Sequence, residues 1–338
     1  MAEKIFESND ALTIKLYHER FYRDARKGSY FERLMGESDE SVVQTKTDLS
    51  QAKGDKMTFG ISYRLRGEGV PGDNILEGHE EDIETADFDI TLDQLRHATR
   101  SGGRMSERRT HFRVPQESRD KLRVWMSEKI DQKCFDALDV SPSKIIYGGN
   151  ATSTADIDTA DKITLALISK LKTVALTGFN RTQVPLRPIM IGGKRHFILL
   201  VHPDVEYDLR QDSSWQQAQR EAEIRGAQNP LFTGAQAIWD NVVIHSHENI
   251  PIVANWGAGA NVPGSRCQFL GAQSLCWAWG ERPWMTEETF DYKNKTGWSI
   301  AMIYAVKKPK FTQPSVGVAK DYGSIAVYVS RTQVSDAA

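Results

Sequence analysis

Residues 47–104, TDLSQAKGDKMTFGISYRLRGEGVPGDNILEGHEEDIETADFDITLDQLRHATRSGGR, decide the fold. Met57, Phe59, Ile61, Tyr63 and Leu65 are apolar at every second position, the pattern of a strand with one apolar face. Gly67, Gly69, Pro71, Gly72 and Gly78 then fill a turn-rich tip. Alternation resumes with Phe88, Ile90, Leu92 and Leu95. Two strands joined by a polar, Gly-rich tip make a long hairpin arm. A two-stranded hairpin is marginal by itself in water. Such an arm needs a surface to lie on, and a neighbouring copy of the chain is the expected support.

Charge is organised in the same stretch. Glu77, Glu80, Glu81, Asp82, Glu84, Asp87 and Asp89 form an acidic run, and Arg96, Arg100, Arg104, Arg108, Arg109 and Arg113 a basic run directly after it. Blocks of opposite sign this close suit recognition between copies, the acidic face of one meeting the basic face of the next. Two solvated faces of a surface hairpin would explain the same charges. Glu77, Glu80, Glu81, Asp82, Arg96, Arg100 and Arg104 are therefore candidate inter-subunit contacts.

Outward from the arm, 10–27 reads as an amphipathic helix with Leu12, Leu16, Phe21 and Ala25 near helical spacing, stopped by Gly28. Val114-Pro115 opens the strongest helix, since proline fits a first turn whose N–H would be unpaired anyway. Leu122, Trp125, Met126, Ile130, Cys134, Ala137 and Leu138 form its apolar stripe. A second helix is expected from Asp156 or Asp158 through Val174, with Gly178 as its stop. A hairpin follows, 186–191 with 196–201, turned at Gly192-Gly193, and His202-Pro203 ends its second strand. Residues 215–225 look helical and polar. Short strands are expected at 242–244, 268–270, 275–279 and 325–329. The nearly continuous apolar run 298–306 reads as a central strand buried on both faces. Strands and helices without βαβ alternation argue for α+β.

Composition sets bounds. The 338 residues are 40% hydrophobic and 26% charged, with a net charge of −2 and a pI near 6.5. A domain whose main task is gripping nucleic acid is usually strongly basic. Cys134, Cys267 and Cys276 are odd in number and lack metal-ligand spacing, so free thiols in a reducing compartment are expected. The start MAEKIFESND has no apolar signal segment, and no apolar run approaches the ~20 residues of a membrane span. The longest uncharged stretch, 249–265, is rich in Gly, Pro and Asn and reads as a loop.

Catalytic motifs are thin. His245-Ser246-His247-Glu248 is the nearest to a metal site. On a strand His245 and His247 would share a face, but no third ligand or His-Glu-x-x-His accompanies them, and solvated histidines are the expectation. Gly192-Gly193-Lys194-Arg195 lacks the spacing of a phosphate loop, and Gly257-Ala258-Gly259-Ala260 lacks the context of a nucleotide fold. The carboxylates of 77–89 do not follow an EF-hand order. Trp277, Trp279 and Trp284 suit packing better than base stacking.

TDLSQAKGDKMTF followed by LRGEGVPGDNILEGHEE resembles the major capsid protein family typified by coliphage N-four, within the Hong Kong 97-type class of tailed-phage capsids. Residues 177–189, 202–212 and Trp215 resemble it too, and the likeness runs from about Asp48 to Gly323. It implies an α+β Hong Kong 97-type fold with four parts. These are an N-terminal arm (1–50), an extended hairpin arm or E-loop (51–104), a peripheral domain (105–148 and 286–338, with a spine helix at 115–138) and an axial domain (149–285). It implies a non-enzymatic major capsid protein, without cofactor, forming hexamers and pentamers of an icosahedral head. Portal, scaffold and decoration proteins would be further partners. Double-stranded DNA would be enclosed without sequence-specific binding, no membrane would be involved, and assembly would occur in the host bacterial cytoplasm before residence in the virion. An encapsulin-like bacterial compartment is the alternative. A metal-dependent hydrolase built on His245, His247 and Glu248 is a third reading.

Overall fold

The computed structural model describes residues 29–47, 55–65, 67–109, 114–181, 183–191, 193–212, 215–216, 237–312 and 317–333. The helix expected over 10–27 and most of that expected over 215–225 lie outside them. In chain order the strands and helices are β1 (Met35–Gly36), β2 (Val43–Lys46), β3 (Lys56–Ser62), β4 (Thr85–Thr91), β5 (Asp93–Arg100), α1 (Arg104–Arg109), α2 (Val114–Asp139), β6 (Ile145–Tyr147) and α3 (Leu165–Thr177). They continue with β7 (Ile189–Ile191), β8 (Lys194–Val201), α4 (Pro203–Gln211), β9 (Ala237–Trp239), β10 (Val242–Ser246), β11 (Ile252–Trp256), β12 (Val262–Leu270), β13 (Leu275–Phe290), β14 (Lys295–Lys307), β15 (Lys310–Thr312), β16 (Ala319–Asp321) and β17 (Ser324–Ser330).

Two sheets carry the core. One has the order β1-β2-β13-β14-β5, the other β6-β17-β12-β8-β10-β9 with β11 added to β12 and β7 to β8. The long helix α2 packs against both. Leu122, Met126, Ile130, Cys134 and Leu138 are buried on one stripe as the spacing predicts, Phe135 joins them, and Trp125 and Ala137 are partly buried beside them. They share a cluster with Trp277, Trp298, Ile300, Met302 and Tyr304 of the first sheet and Ile198, Leu200, Val243 and Leu270 of the second. Alternation along β8 then sends Phe197, Leu199 and Val201 to the other face. There they meet Leu167, Ile168 and Leu171 of α3 and Val205 and Leu209 of α4.

The arm forms in register, Phe59 opposite Phe88 and Met57 opposite Ile90. It is shorter than the alternation suggests. Leu95 leaves the hairpin, because the chain restarts as β5 and pairs with β14, Leu95 opposite Met302. The base of the arm also rests on its own chain. Phe88 stacks on Phe59 at 5.2 Å and meets Phe311 edge-on at 5.1 Å. The Tyr63 hydroxyl donates to the Thr312 carbonyl at 2.9 Å.

Other expectations are corrected. The second helix begins at Leu165, not at 156 or 158, capped by Thr164, whose hydroxyl accepts from the Leu167 N–H at 3.2 Å. Asp158 and Asp161 instead serve a turn, Asp161 accepting the Asp158 N–H at 2.9 Å. Gly178 ends α3 at φ 85°, where an added Cβ would lie 2.2 Å from the Gln183 carbonyl. The supposed loop 249–265 is a hairpin. Gly257, Gly259 and Asn261 fall in the turn, with Gly257 and Ala260 at positive φ, while β11 and β12 pair on either side. Within β12, Gly264 lies beneath the Trp256 ring, which a Cβ would strike. The strand β8 does end at Val201, just before His202-Pro203 as expected, and α4 starts there, its first turn set by Pro203 and capped by His202 Nδ1, which accepts the Asp204 N–H at 3.2 Å. The domain limits also differ from the sheets. β17 is buried along its whole length and sits between β6 and β12, so 324–330 and 145–147 do not pack with the first sheet. Residues 275–285 belong to that first sheet.

Candidate assembly interface

The arm's tip has no glycine-free alternative. Gly69, Gly72 and Gly78 have φ of 74°, 65° and 87°, a region that side chains disfavour. Carboxylates hold the turns, Glu81 Oε2 accepting the Gly67 N–H at 2.6 Å and Glu80 Oε2 the Gly78 N–H at 2.7 Å. Every residue from Pro71 to Thr85 is exposed, including the acidic candidates Glu77, Glu80, Glu81 and Asp82. Ile75, Leu76 and Ile83 stand exposed among them at 74%, 60% and 72%. The tip is thus an apolar strip inside an acidic field, with no part in the core of its own chain.

The basic candidates occupy a different surface. Along β5, His97 faces α2, its ring stacked on Trp125 at 4.4 Å. Alternation therefore places Arg96 and Arg100 on the opposite face of the sheet. Their cross-strand partners there are Ala301 and Gly297. Small partners leave a flat, basic sheet face. The Arg100 guanidinium lies over the Phe290 ring at 4.3 Å from its centroid, and Arg104 begins α1, which buries no residue. Arg113 lies outside the described residues. β4 carries the chain seven residues from tip to base, roughly 20 Å at ~3.3 Å per residue, before the arginines begin. Acidic tip and basic face are separate surfaces of one molecule.

The histidines are not solvated. His245 is 2% exposed and His247 is half-buried. The Tyr30 ring meets both, at 5.9 Å and 5.0 Å, and Phe135 packs on His247 at 4.6 Å. Burial holds the His247 imidazole below its ordinary pKa, with Asp131 and Glu248 pulling the other way. Among the described residues no group of three His, Cys, Asp or Glu side chains is placed to hold a metal ion. The three cysteines are free and buried, and burial raises the Cys267 and Cys276 thiols to about 12.

One feature escaped the sequence reading. Asp131, buried in the apolar stripe of α2, accepts from Ser29 Oγ at 2.5 Å, the Tyr30 N–H at 2.7 Å and the Phe31 N–H at 3.1 Å. It pins the N-terminal segment to the middle of the helix. The available signal was a lone carboxylate one residue after Ile130 on the stripe.

Comparison with known proteins agrees with this architecture. A family model described as phage capsid protein matches residues 5–141 and 137–332. The major capsid protein of Pseudomonas phage KPP25 is 32% identical over 92% of this chain and 93% of its own length. Among solved structures, the capsid of Ralstonia phage GP4 is 29% identical, covers 99% of this chain and 96% of its own, and superposes with a TM-score of 0.82. The capsid of cyanophage Pam1, at 20% identity, shares the fold over 98% of both chains with a TM-score of 0.76. The coliphage N-four type is not singled out among these matches. With its two sheets, its long intervening helix and its outlying arm, the chain belongs to the phage capsid protein family.

Proposed function

We propose that this chain is the major capsid protein of a tailed phage, and that copies close into the icosahedral head by laying each acidic arm tip on the basic sheet face of the next copy. The observation that carries the reading is likeness in both sequence and fold to the Ralstonia phage GP4 capsid over nearly the whole chain. The family and its phage relatives weigh for a virus shell over an encapsulin-like compartment. In this reading the first sheet and α2 form the peripheral domain, with α2 as spine, and the second sheet the axial domain around the capsomer axis. Hexamers and pentamers form in the host bacterial cytoplasm with portal, scaffold and decoration proteins as partners. DNA is enclosed without sequence-specific contacts, which suits a net charge of −2. The chain performs no catalysis.

Obligate interfaces bury about 2,000–5,000 Å², and at ~25 cal/mol per Å² their apolar part dominates. Ile75, Leu76 and Ile83 would supply strength. Exposed ion pairs contribute only ~0.2–1 kcal/mol each, so Glu77, Glu80, Glu81 and Asp82 against Arg96, Arg100 and Arg104 would set register. Reversing Glu80, Glu81 and Asp82 to Lys should block assembly of a folded subunit. Adding Arg96→Glu and Arg100→Glu to the same chain should restore part of it. Equal failure of both variants would sink the pairing.

A further inference from the structure

The hairpin of β13 and β14 ends in a tip built unlike an ordinary turn. Asp291, Tyr292 and Lys293 have φ of 53°, 48° and 67°. Three successive side-chain-bearing residues in the left-handed region are unusual, and a bulky one there is an outlier. Such backbone persists where its surroundings over-determine it, and it clusters at functional positions. Here the bracing is visible. The Asn294 N–H donates to the Asp291 carbonyl at 2.9 Å, and its side-chain amide to the Asp291 carboxylate at 3.2 Å. Asn294 Oδ1 accepts the Arg104 N–H at 3.4 Å. The Ser101 N–H donates to the Thr296 carbonyl at 2.8 Å, and the Thr296 N–H to Ser101 Oγ at 3.2 Å. At the apex of this held structure the Tyr292 side chain is fully exposed, at 104%. A large ring held out on a rigid tip loses little freedom on docking, which is how interface anchors are built.

A receptor of matching chemistry lies on the same chain. A groove of about 400 Å³ opens between β5 and the first turns of α2, lined by His97, Val114, Leu122 and Trp125. Glu117 and Lys121 stand on its rim, paired across the surface at 3.4 Å. They offer both signs of charge, as do Asp291 and Lys293 on either side of Tyr292. Knob and groove share one end of the first sheet, because Arg100 of β5 packs on Phe290 beside the tip while His97 of the same strand lines the groove. A patch that fits a second, different patch on the next copy makes a head-to-tail contact, and around a rotation axis at that end it closes into a ring. We propose that Tyr292 of one copy seats in the groove beside His97 and Trp125 of the next, around a local rotation axis of the shell. This rests on the shell-forming reading and adds a contact independent of the arm.

The test is a double variant, Lys293→Cys with Lys121→Cys, which keeps the Tyr292 ring, assembled into particles and oxidised. The native thiols are buried and silent. Reductant-sensitive oligomers on a denaturing gel are expected from the double variant and not from either single one. Double-variant particles of normal yield that remain monomeric would overturn the proposal while leaving the capsid reading intact. Failure of the parent chain to form particles would instead strike the capsid reading. Should the double variant not assemble, Tyr292→Phe is expected to assemble like the parent. Tyr292→Ala should lose at least about tenfold in particle yield, the scale of a central aromatic anchor. Ala matching the parent, or Phe failing along with Ala, would overturn the contact.

Discussion

Asp131 is a buried carboxylate beside Ile130, Cys134 and Phe135, and it stays there because three donors from residues 29–31 converge on it. Removing it strands buried donors, each costing about 1–3 kcal/mol. Asp131→Ala should therefore destabilise the subunit by about 3 kcal/mol in chemical denaturation, and Asp131→Asn by less, since the amide oxygen still accepts. His245 and His247 carry a prediction opposite to that for solvated residues. Replacing either by Ala opens space beside Tyr30 and should cost about 2 kcal/mol, on the scale of large-to-small core changes. Burial depresses the imidazoles of His196, His202 and His247. The unfolded chain then binds protons, from about pH 6.5 downward, that the folded chain resists. Stability should fall as pH drops through this window and level off below the folded values. Melting at pH 7 and at pH 5.5 checks the sign, and His247→Gln should flatten part of the slope. Native subunits should leave Cys134, Cys267 and Cys276 unreactive to an aromatic disulfide reagent, with all three reacting on unfolding.

At the scale of elements, the arm divides into a base that its own chain supports and a tip that it does not. Deleting residues 68–82 should leave the melting temperature of the subunit nearly unchanged, because Phe59, Phe88 and Phe311 remain packed, yet abolish particles in sedimentation. A large drop in melting temperature would show that the tip also belongs to the fold. The alternation of Met57, Phe59 and Ile61 made the arm legible, and the stripe from Leu122 to Leu138 made α2 legible, since each period reports one buried face. The limits of these elements were less legible. Asp156 and Asp158 resemble helix caps locally, and only the fold sends them to a turn before Thr164. Gly and Pro counted over 249–265 suggested a loop, whereas Gly257 and Gly259 sit in the turn, Pro251 precedes β11, Pro263 lies within β12 and Gly264 lies under Trp256, the arrangement of a hairpin. His245 and His247 were misjudged because their burial comes from Tyr30 and Phe135, more than a hundred residues away in sequence. The basic face was half legible. The order of Arg96 and Arg100 was plain, but that both point away from α2 follows only from His97 stacking on Trp125.

At the scale of the molecule, the buried stripe of α2 joins two sheets, so a subunit can fold around its own core and still present unsatisfied surfaces. These are the exposed apolar tip of the arm and the open face with Arg96 and Arg100. Such a molecule is complete as a fold and incomplete as an assembly, which is what a shell subunit requires. Oxidation or reduction should leave that assembly unchanged, as its cysteines form no disulfides. The most direct measurement is electron microscopy of the purified full-length chain at high concentration with scaffold supplied, beside the variant lacking residues 68–82. Closed shells of the full-length chain, and none of the variant, are expected. A full-length chain that stays a folded monomer, or a tip-deleted chain that closes into the same shells, would contradict the reading of the arm as the element that joins one copy to the next.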